Sequence, residues 1–260
     1  MVDELQTDEV LAAVGELIAL ERFGARITVV AGDFVGMSAA VDAETGILAG
    51  GLPETITADI LADAGALIER EAPATLAYGT EELFVEPVVP RPRLVIFGAV
   101  HIGQALAAHG SLLGYHVTVS DARETFLTTE RFPDVDELLV GWPDEIVDRL
   151  VLDRRTSVVV LSHDARFERP LWPIVLPTAV RYIGAMGSQG TAQRRREALA
   201  AAGHDAATID RIHGPIGIDI GADTPGEVAV AILAEMIAAH RRPETSPDLV
   251  GELRPLVRRS

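Results

Sequence analysis

Apolar residues recur along this 260-residue chain at two different spacings, and the change comes near residue 90. In the first part, Val10, Val14, Leu17 and Ile18 fall at the interval of a helix with one buried face. Arg26 to Ala31 reads as a strand. Met37 to Val41 and Ile47 to Ala49 read as strands on either side of Asp42-Ala-Glu-Thr-Gly46, whose polar residues and glycine suit a hairpin turn. Thr57 stands where a cap is expected for a helix carrying Ile60, Leu61, Ala64, Leu67 and Ile68. Leu83 to Val89 is a further strand. The pattern predicts a small α+β domain over residues 1–88.

Pro87, Pro90 and Pro92 then interrupt the chain. Each fixes φ and lacks an amide hydrogen, so the segment is expected to be an extended linker. After it, short unbroken apolar runs alternate with amphipathic stretches. Arg93 to Phe97 and His116 to Ser120 read as strands buried on both faces, with further strands at Glu137 to Val140, Ser157 to Leu161 and Val180 to Ile183. Helices are expected after residue 101 and over 144–150, 191–202 and 225–240. Thr224, Pro225 and Glu227 make a capping box for the last of these. The resulting fold class is α/β: a Rossmann-like, mostly parallel sheet over 92–240, preceded by the small α+β domain. Arg241 to Pro247 marks a second break, leaving 241–260 as a C-terminal tail.

Composition removes several chemistries. There are no cysteines, and all 22 basic residues are arginine. Disulfides, thiolate-bound zinc or iron–sulfur centres, cysteine nucleophiles, lysine Schiff bases and a P-loop lysine are therefore excluded. The net charge of −17 is uneven: residues 1–90 carry −14 and residues 91–260 carry −3. An acidic surface repels phosphate backbones, so no nucleic-acid partner is expected. No apolar run reaches the roughly 20 residues needed to cross a bilayer, and the acidic start lacks a basic leader. The expected location is cytoplasmic, with no membrane partner.

Candidate chemistry clusters at the predicted strand ends, where open α/β sheets hold their ligands. Gly98-Ala-Val-His101-Ile-Gly103 sits between strand and helix like a phosphate-binding turn, and Asp121 follows at the end of the next strand, placed to accept from ribose hydroxyls. Val100 replaces the middle glycine, and its branched side chain would crowd a pyrophosphate, which weakens the case for NAD(P). The helix start still favours an anion. Asp121-Ala-Arg123 offers an acid and a guanidinium together, or a plain ion pair. Ser162-His163-Asp164-Ala-Arg166 follows another strand: a histidine side chain suits proton transfer or metal ligation, and Asp164 can act as a local cap. Gly184, Gly187 and Ser188 precede the arginine-rich helix and are able to cradle an anion with backbone amides. His213 to Gly221, with Asp219, is rich in glycine without a local structural reason, which suggests a tight path near a ligand or a neighbouring protomer.

The strings FGAVHIGQALA, VTVSDAR, VVVLSHDARFE, RYIGAMGSQGT and RIHGPIGIDIGADTPGEVAVAILAEM, in this order, resemble the XdhC/CoxI family of molybdenum-hydroxylase accessory proteins. The resemblance implies a maturation chaperone rather than an enzyme. It also implies binding of molybdenum cofactor (molybdopterin), help in its sulfuration, and delivery to an apo molybdenum hydroxylase of the xanthine dehydrogenase or CO dehydrogenase type. A cofactor sulfurase is an implied partner, and a homodimer an implied assembly. The corresponding cofactor-binding residues here would be Gly98, His101, Gly103, Asp121, Arg123, His163, Asp164, Gly184, Gly187, Ser188, His213 and Asp219. Family members often carry a cysteine where this chain has Gly50-Gly51-Leu52-Pro53-Glu54, so no thiolate can coordinate molybdenum here. Two other readings stay open: an NAD(P)-dependent oxidoreductase using His163 or His101 as proton donor, and an interaction protein that has lost its ligand and docks through its acidic first half.

Overall fold

The structure, a computed structural model, describes residues 4–162 and 164–241. It divides into two compact units, Met1–Arg91 and Pro92–Ser260.

The first unit carries a five-stranded antiparallel sheet built from β1 (Gly24–Ala31), β2 (Ser38–Asp42), β3 (Gly46–Gly50), β4 (Ala74–Tyr78) and β5 (Glu81–Val88), in the order β3-β2-β1-β5-β4. Helix α1 (Glu4–Ala19) lies against β2 and β3, and α2 (Thr57–Arg70) against β1 and β5. Val10 and Leu17 of α1 are buried, but Ile18, expected on the same face, points to solvent. Ile60, Ala64 and Ile68 form the buried stripe of α2 and pack on Ile27, Leu83 and Val85. Thr57 is the first helical residue and not the cap: Ile56 holds the cap position, and the Thr57 hydroxyl donates to the Pro53 carbonyl. The hairpin expected around Asp42 forms because Asp42 Oδ1 accepts the amides of Glu44 and Thr45 at 2.9 and 2.8 Å. The expected linker is in part strand, since Pro87 lies within β5, in register with Ala25.

The second unit is a doubly wound parallel sheet. Its strands are β6 (Arg93–Phe97), β7 (His116–Asp121), β8 (Glu137–Val140), β9 (Thr156–Val160), β10 (Tyr182–Ala185) and β11 (Ile212–His213). They lie in the order β11-β10-β9-β6-β7-β8, with every pairing parallel. The winding reverses between β6 and β9, and open sheets of this kind bind ligands at that point. Leu94 and Ile96 face α3 (His101–Leu112) and α8 (Pro225–Arg241), whereas Val95 and Phe97 face α5 (Ala165–Val175). The two-residue period of a strand thus feeds two cores at once. Around these lie α4 (Pro143–Ile146), α6 (Gln189–Ala201) and α7 (Ala206–Asp210). The capping box of α8 is present: Thr224 Oγ1 accepts the Glu227 amide, and the Glu227 carboxylate accepts the Thr224 amide at 2.9 Å. The expected tail beyond Arg241 lies outside the described residues.

Candidate functional site at the strand ends

The site begins with two glycines that serve different ends. Gly98 turns the chain out of β6 with φ +120°, a conformation other residues avoid. Gly103, one helical turn into α3, approaches so closely that a Cβ there would lie 2.5 Å from the Gly98 carbonyl oxygen. Between them Val100 stands at the N-cap of α3 in extended conformation, and its apolar side chain accepts nothing from the helix start. The first amides of α3 therefore retain their capacity to meet an anion. Val100 leans on the core beneath α3 and lines a cavity of about 490 Å³ without closing it.

Asp121, at the end of β7, is buried beside this turn. Its Oδ2 accepts the Ala99 amide at 2.9 Å and Arg123 Nη2 at 2.8 Å, while Oδ1 accepts the Arg123 amide at 3.0 Å and Nε at 2.8 Å. Burial alone would raise its pKa, but the Arg123 guanidinium and these amides outweigh it and hold the carboxyl below its ordinary value. Four bonds fill the acceptor capacity of a carboxylate. A ribose hydroxyl approaching here meets Arg123 rather than a free oxygen. The turn is braced from below by Arg131, which donates to the carbonyls of Ala99 and Phe126 and to Gln104 Oε1.

The cavity is lined by Gly98, Val100, Asp121, Ala122, Arg123, Trp142, Leu161, Ser162, Asp164, Arg166 and Phe167. Of the residues expected from sequence, it brings together Gly98, Asp121, Arg123 and Asp164. Asp164 caps α5 by accepting the Arg166 amide at 2.9 Å, and its carboxylate also takes the Arg166 guanidinium at 2.8 Å, which holds its pKa at about 2. Trp142 and Phe167 are not among the residues that the sequence singles out, whereas Arg166 closes the Ser162–Arg166 segment read there. The repeat of Asp-Ala-Arg at 121–123 and 164–166 is the available signal for Arg166.

The remaining expected residues sit elsewhere. His101 is exposed at the start of α3, and His163 lies outside the described residues. Ser188 caps α6, its hydroxyl accepting the Thr191 amide at 3.2 Å. Gly187 takes φ +142° just before it, where a Cβ would meet Thr191 at 2.8 Å. Gly184 gives close passage: a Cβ would lie 2.4 Å from Ile216 and 2.6 Å from the Tyr182 hydroxyl. His213 stacks on Tyr182, with centroids 4.7 Å apart, and its Nδ1 lies 3.5 Å from Glu235. Asp219 is exposed and accepts the Gly221 amide. The glycine-rich path is thus explained by packing on the buried Tyr182 and Glu235 and the half-buried His213.

A second cavity of about 500 Å³ lies between α5 and α6, over Trp172 and Leu199 and away from the helix α3 start. Beside it Arg195 is buried against Glu168 at 2.7 Å and donates to the Met186 carbonyl. Among the described residues, no group of three or more His, Asp or Glu is placed to hold a metal ion. No helix among them is long and apolar enough to cross a membrane.

Comparison with known proteins bears on the family and the fold. A Bacillus subtilis (strain 168) protein, named as a probable subunit of xanthine dehydrogenase, is 28% identical over 163 residues, covering 63% of this chain and 47% of its own length. The uncharacterized protein YqeB of Escherichia coli (strain K12) is 32% identical over 161 residues, covering 61% of this chain and 29% of its own length. The chain therefore spans less than half the length of either relative. A crystal structure described as a xanthine dehydrogenase from Bacillus halodurans superposes with a TM-score of 0.72 at 20% identity, over 94% of this chain and 67% of that one, which shows a shared fold. The XdhC Rossmann domain family model matches residues 94–236, the span from β6 through α8, and the chain belongs to that family.

Proposed function

We propose that this protein is a molybdenum-cofactor-binding accessory protein that assists maturation of a molybdenum hydroxylase of the xanthine dehydrogenase or CO dehydrogenase type. Family membership and the name of the Bacillus subtilis relative support an association with xanthine dehydrogenase. The observation that carries the cofactor reading is the open crevice where the winding of the sheet reverses. There Gly98 and Val100 of the turn into α3 and the exposed guanidinium of Arg123 line about 490 Å³ of space. A pterin cofactor with a phosphate tail fits such a donor set, because main-chain amides and a guanidinium recognise the phosphate. The chain supplies no thiolate, so the cofactor would be gripped by its organic part, and the metal would remain available for transfer. In this reading the partners are the apo-hydroxylase and a cofactor sulfurase, and the working assembly is a homodimer.

The test is titration of the purified full chain with molybdopterin, followed by pterin fluorescence and calorimetry. Saturable one-site binding, weakened by substitution of Arg123, is the expected result. No binding at all overturns the proposal. The oxidoreductase reading ranks lower because Val100 stands at the pyrophosphate position and Asp121 is filled by Arg123 and Ala99.

A further inference from the structure

The two Asp-Ala-Arg segments flank the crevice from opposite sides, one after β7 and one after β9, the two neighbours of β6. They share one geometry. In each, the aspartate accepts the amide two residues on (3.0 Å for Arg123, 2.9 Å for Arg166) and grips Nε and Nη2 of that arginine. The grip fixes a long side chain in one orientation and leaves the outer edge of the guanidinium, with Nη1, to donate elsewhere.

A third segment separates fold from function. Asp153-Arg154-Arg155 makes the same clip before β9, at the opposite end of the sheet. There the arginine side chain is only 11% exposed, so that clip is part of the packing. The two clips at the crevice leave their arginines 56% and 81% exposed, facing space. Arg123 lies over the Phe126 ring at 4.3 Å and Asp164 caps α5, yet both guanidiniums also line the one cavity. Beside them stands an aromatic wall, in which the rings of Trp142 and Phe167 lie 5.9 Å apart and line the same space.

We propose that Arg123 and Arg166 form a paired clamp for a phosphomonoester carried on a planar heterocycle, whose ring lies along Trp142 and Phe167. The site thereby selects the phosphorylated ligand over its dephospho form. This rests on the crevice being the ligand site and adds the chemistry the ligand must bring. A doubly charged phosphate presents enough oxygens for both forks, and each guanidinium arrives already ordered, so little entropy is lost on binding. A hydroxyl in the same place finds donors but neither carboxylate as acceptor, because Asp121 and Asp164 are occupied by their arginines. The phosphate can belong to the pterin cofactor or to a nucleotide, and the two sources are separable.

The experiment uses the full chain and two ligand pairs: the fluorescent oxidation product of molybdopterin before and after phosphatase treatment, and 5′-AMP against adenosine. In at least one pair the phosphorylated member is expected to bind about tenfold to a hundredfold more tightly. R123Q and R166Q should each remove most of that preference and the double variant all of it. R123K should restore only part, since an ammonium lacks the fork. R70Q, on α2 of the first unit, should leave it unchanged. The pair that shows the preference identifies the source. Equal binding within both pairs overturns the clamp, as does a preference that survives in the double variant or no binding in either pair. Pterin binding that ignores the phosphate overturns the clamp while leaving the cofactor reading standing.

Discussion

The Tyr182 hydroxyl donates to Glu235 Oε2 at 2.5 Å, tying β10 to α8 through two buried side chains. The same oxygen accepts the Gly217 amide at 2.8 Å, so one carboxylate anchors both the sheet and the glycine-rich path that follows β11. Burial pushes the Tyr182 phenol well above its ordinary pKa, and the Glu235 charge adds to the effect. For Glu235, burial raises the pKa, but His213, Tyr182 and Gly217 together bring it below the usual value.

Removing either partner should cost more than one ordinary hydrogen bond. Y182F leaves a buried carboxylate short of a donor, and a loss of about 2 kcal/mol is expected. E235L leaves both the phenol and the Gly217 amide unpaired, and about 4 kcal/mol is expected. Urea denaturation of the full chain measures both. Equal and small losses, each below about 0.5 kcal/mol, would show that water replaces the cluster at no cost.

Acid should unfold the protein through these same groups. Asp42, Asp121 and Glu235 all have pKa values lowered in the fold despite burial. Their stabilisation is therefore complete above the unfolded carboxylate values near 4 and is lost as pH falls through the folded ones. Because the net charge is −17, mild acidification first relieves repulsion. A stability maximum near pH 5, followed by a steep fall toward about pH 3, is expected. D42N should flatten that fall, since Asp42 then no longer distinguishes the folded from the unfolded chain.

Two glycines should respond in opposite directions. G103A drives a methyl group toward the Gly98 carbonyl at 2.5 Å, a backbone atom that cannot rotate away, and should cost about 1 to 3 kcal/mol. G65A, inside α2 with open space around it, should stabilise by about 1 kcal/mol through helix propensity alone. Both are read from the urea midpoint. Equal effects of one sign would refute the packing assigned to the β6–α3 turn.

Val100 should control which ligand enters. V100G removes the branched side chain from the helix start, and NADP should then produce a larger thermal shift than with the parent chain. The substitution also strips a partly buried side chain from the core, at about 1 to 2 kcal/mol. An unchanged response to NADP would mean that the valine does not govern access.

Local patterning carries most of the architecture. The runs 93–97 and 137–140 match β6 and β8, and 225–240 matches α8 to within one residue. Helix α5 escapes the pattern because Pro170 and Pro173 interrupt its sequence, yet Asp164 caps it and Phe167, Leu171 and Trp172 bury its inner face. Strand β4 escapes it because Ala74 to Tyr78 pairs only with β5 at the edge of its sheet and shows no strong apolar run. Candidate residues at the ends of β6 and β7 are visible because a strand followed by a glycine turn is a local signal. Trp142 and Phe167 are not, since each reads as ordinary packing until the crossover connections bring the ends of β8 and β9 to one crevice.

Composition and spacing alone settled the absence of thiolate and lysine chemistry, the strand–helix alternation and the capping of α8, because each depends on residue identity or on neighbours within a turn or two. Which side chains share the crevice was decided by the strand order β8-β7-β6-β9, through contacts between residues far apart in the chain. For Asp121 the two contributions meet: the ion pair with Arg123, two residues on, is one of the options legible in the sequence, whereas the bond from the Ala99 amide, 22 positions away, exists only because β6 and β7 lie side by side.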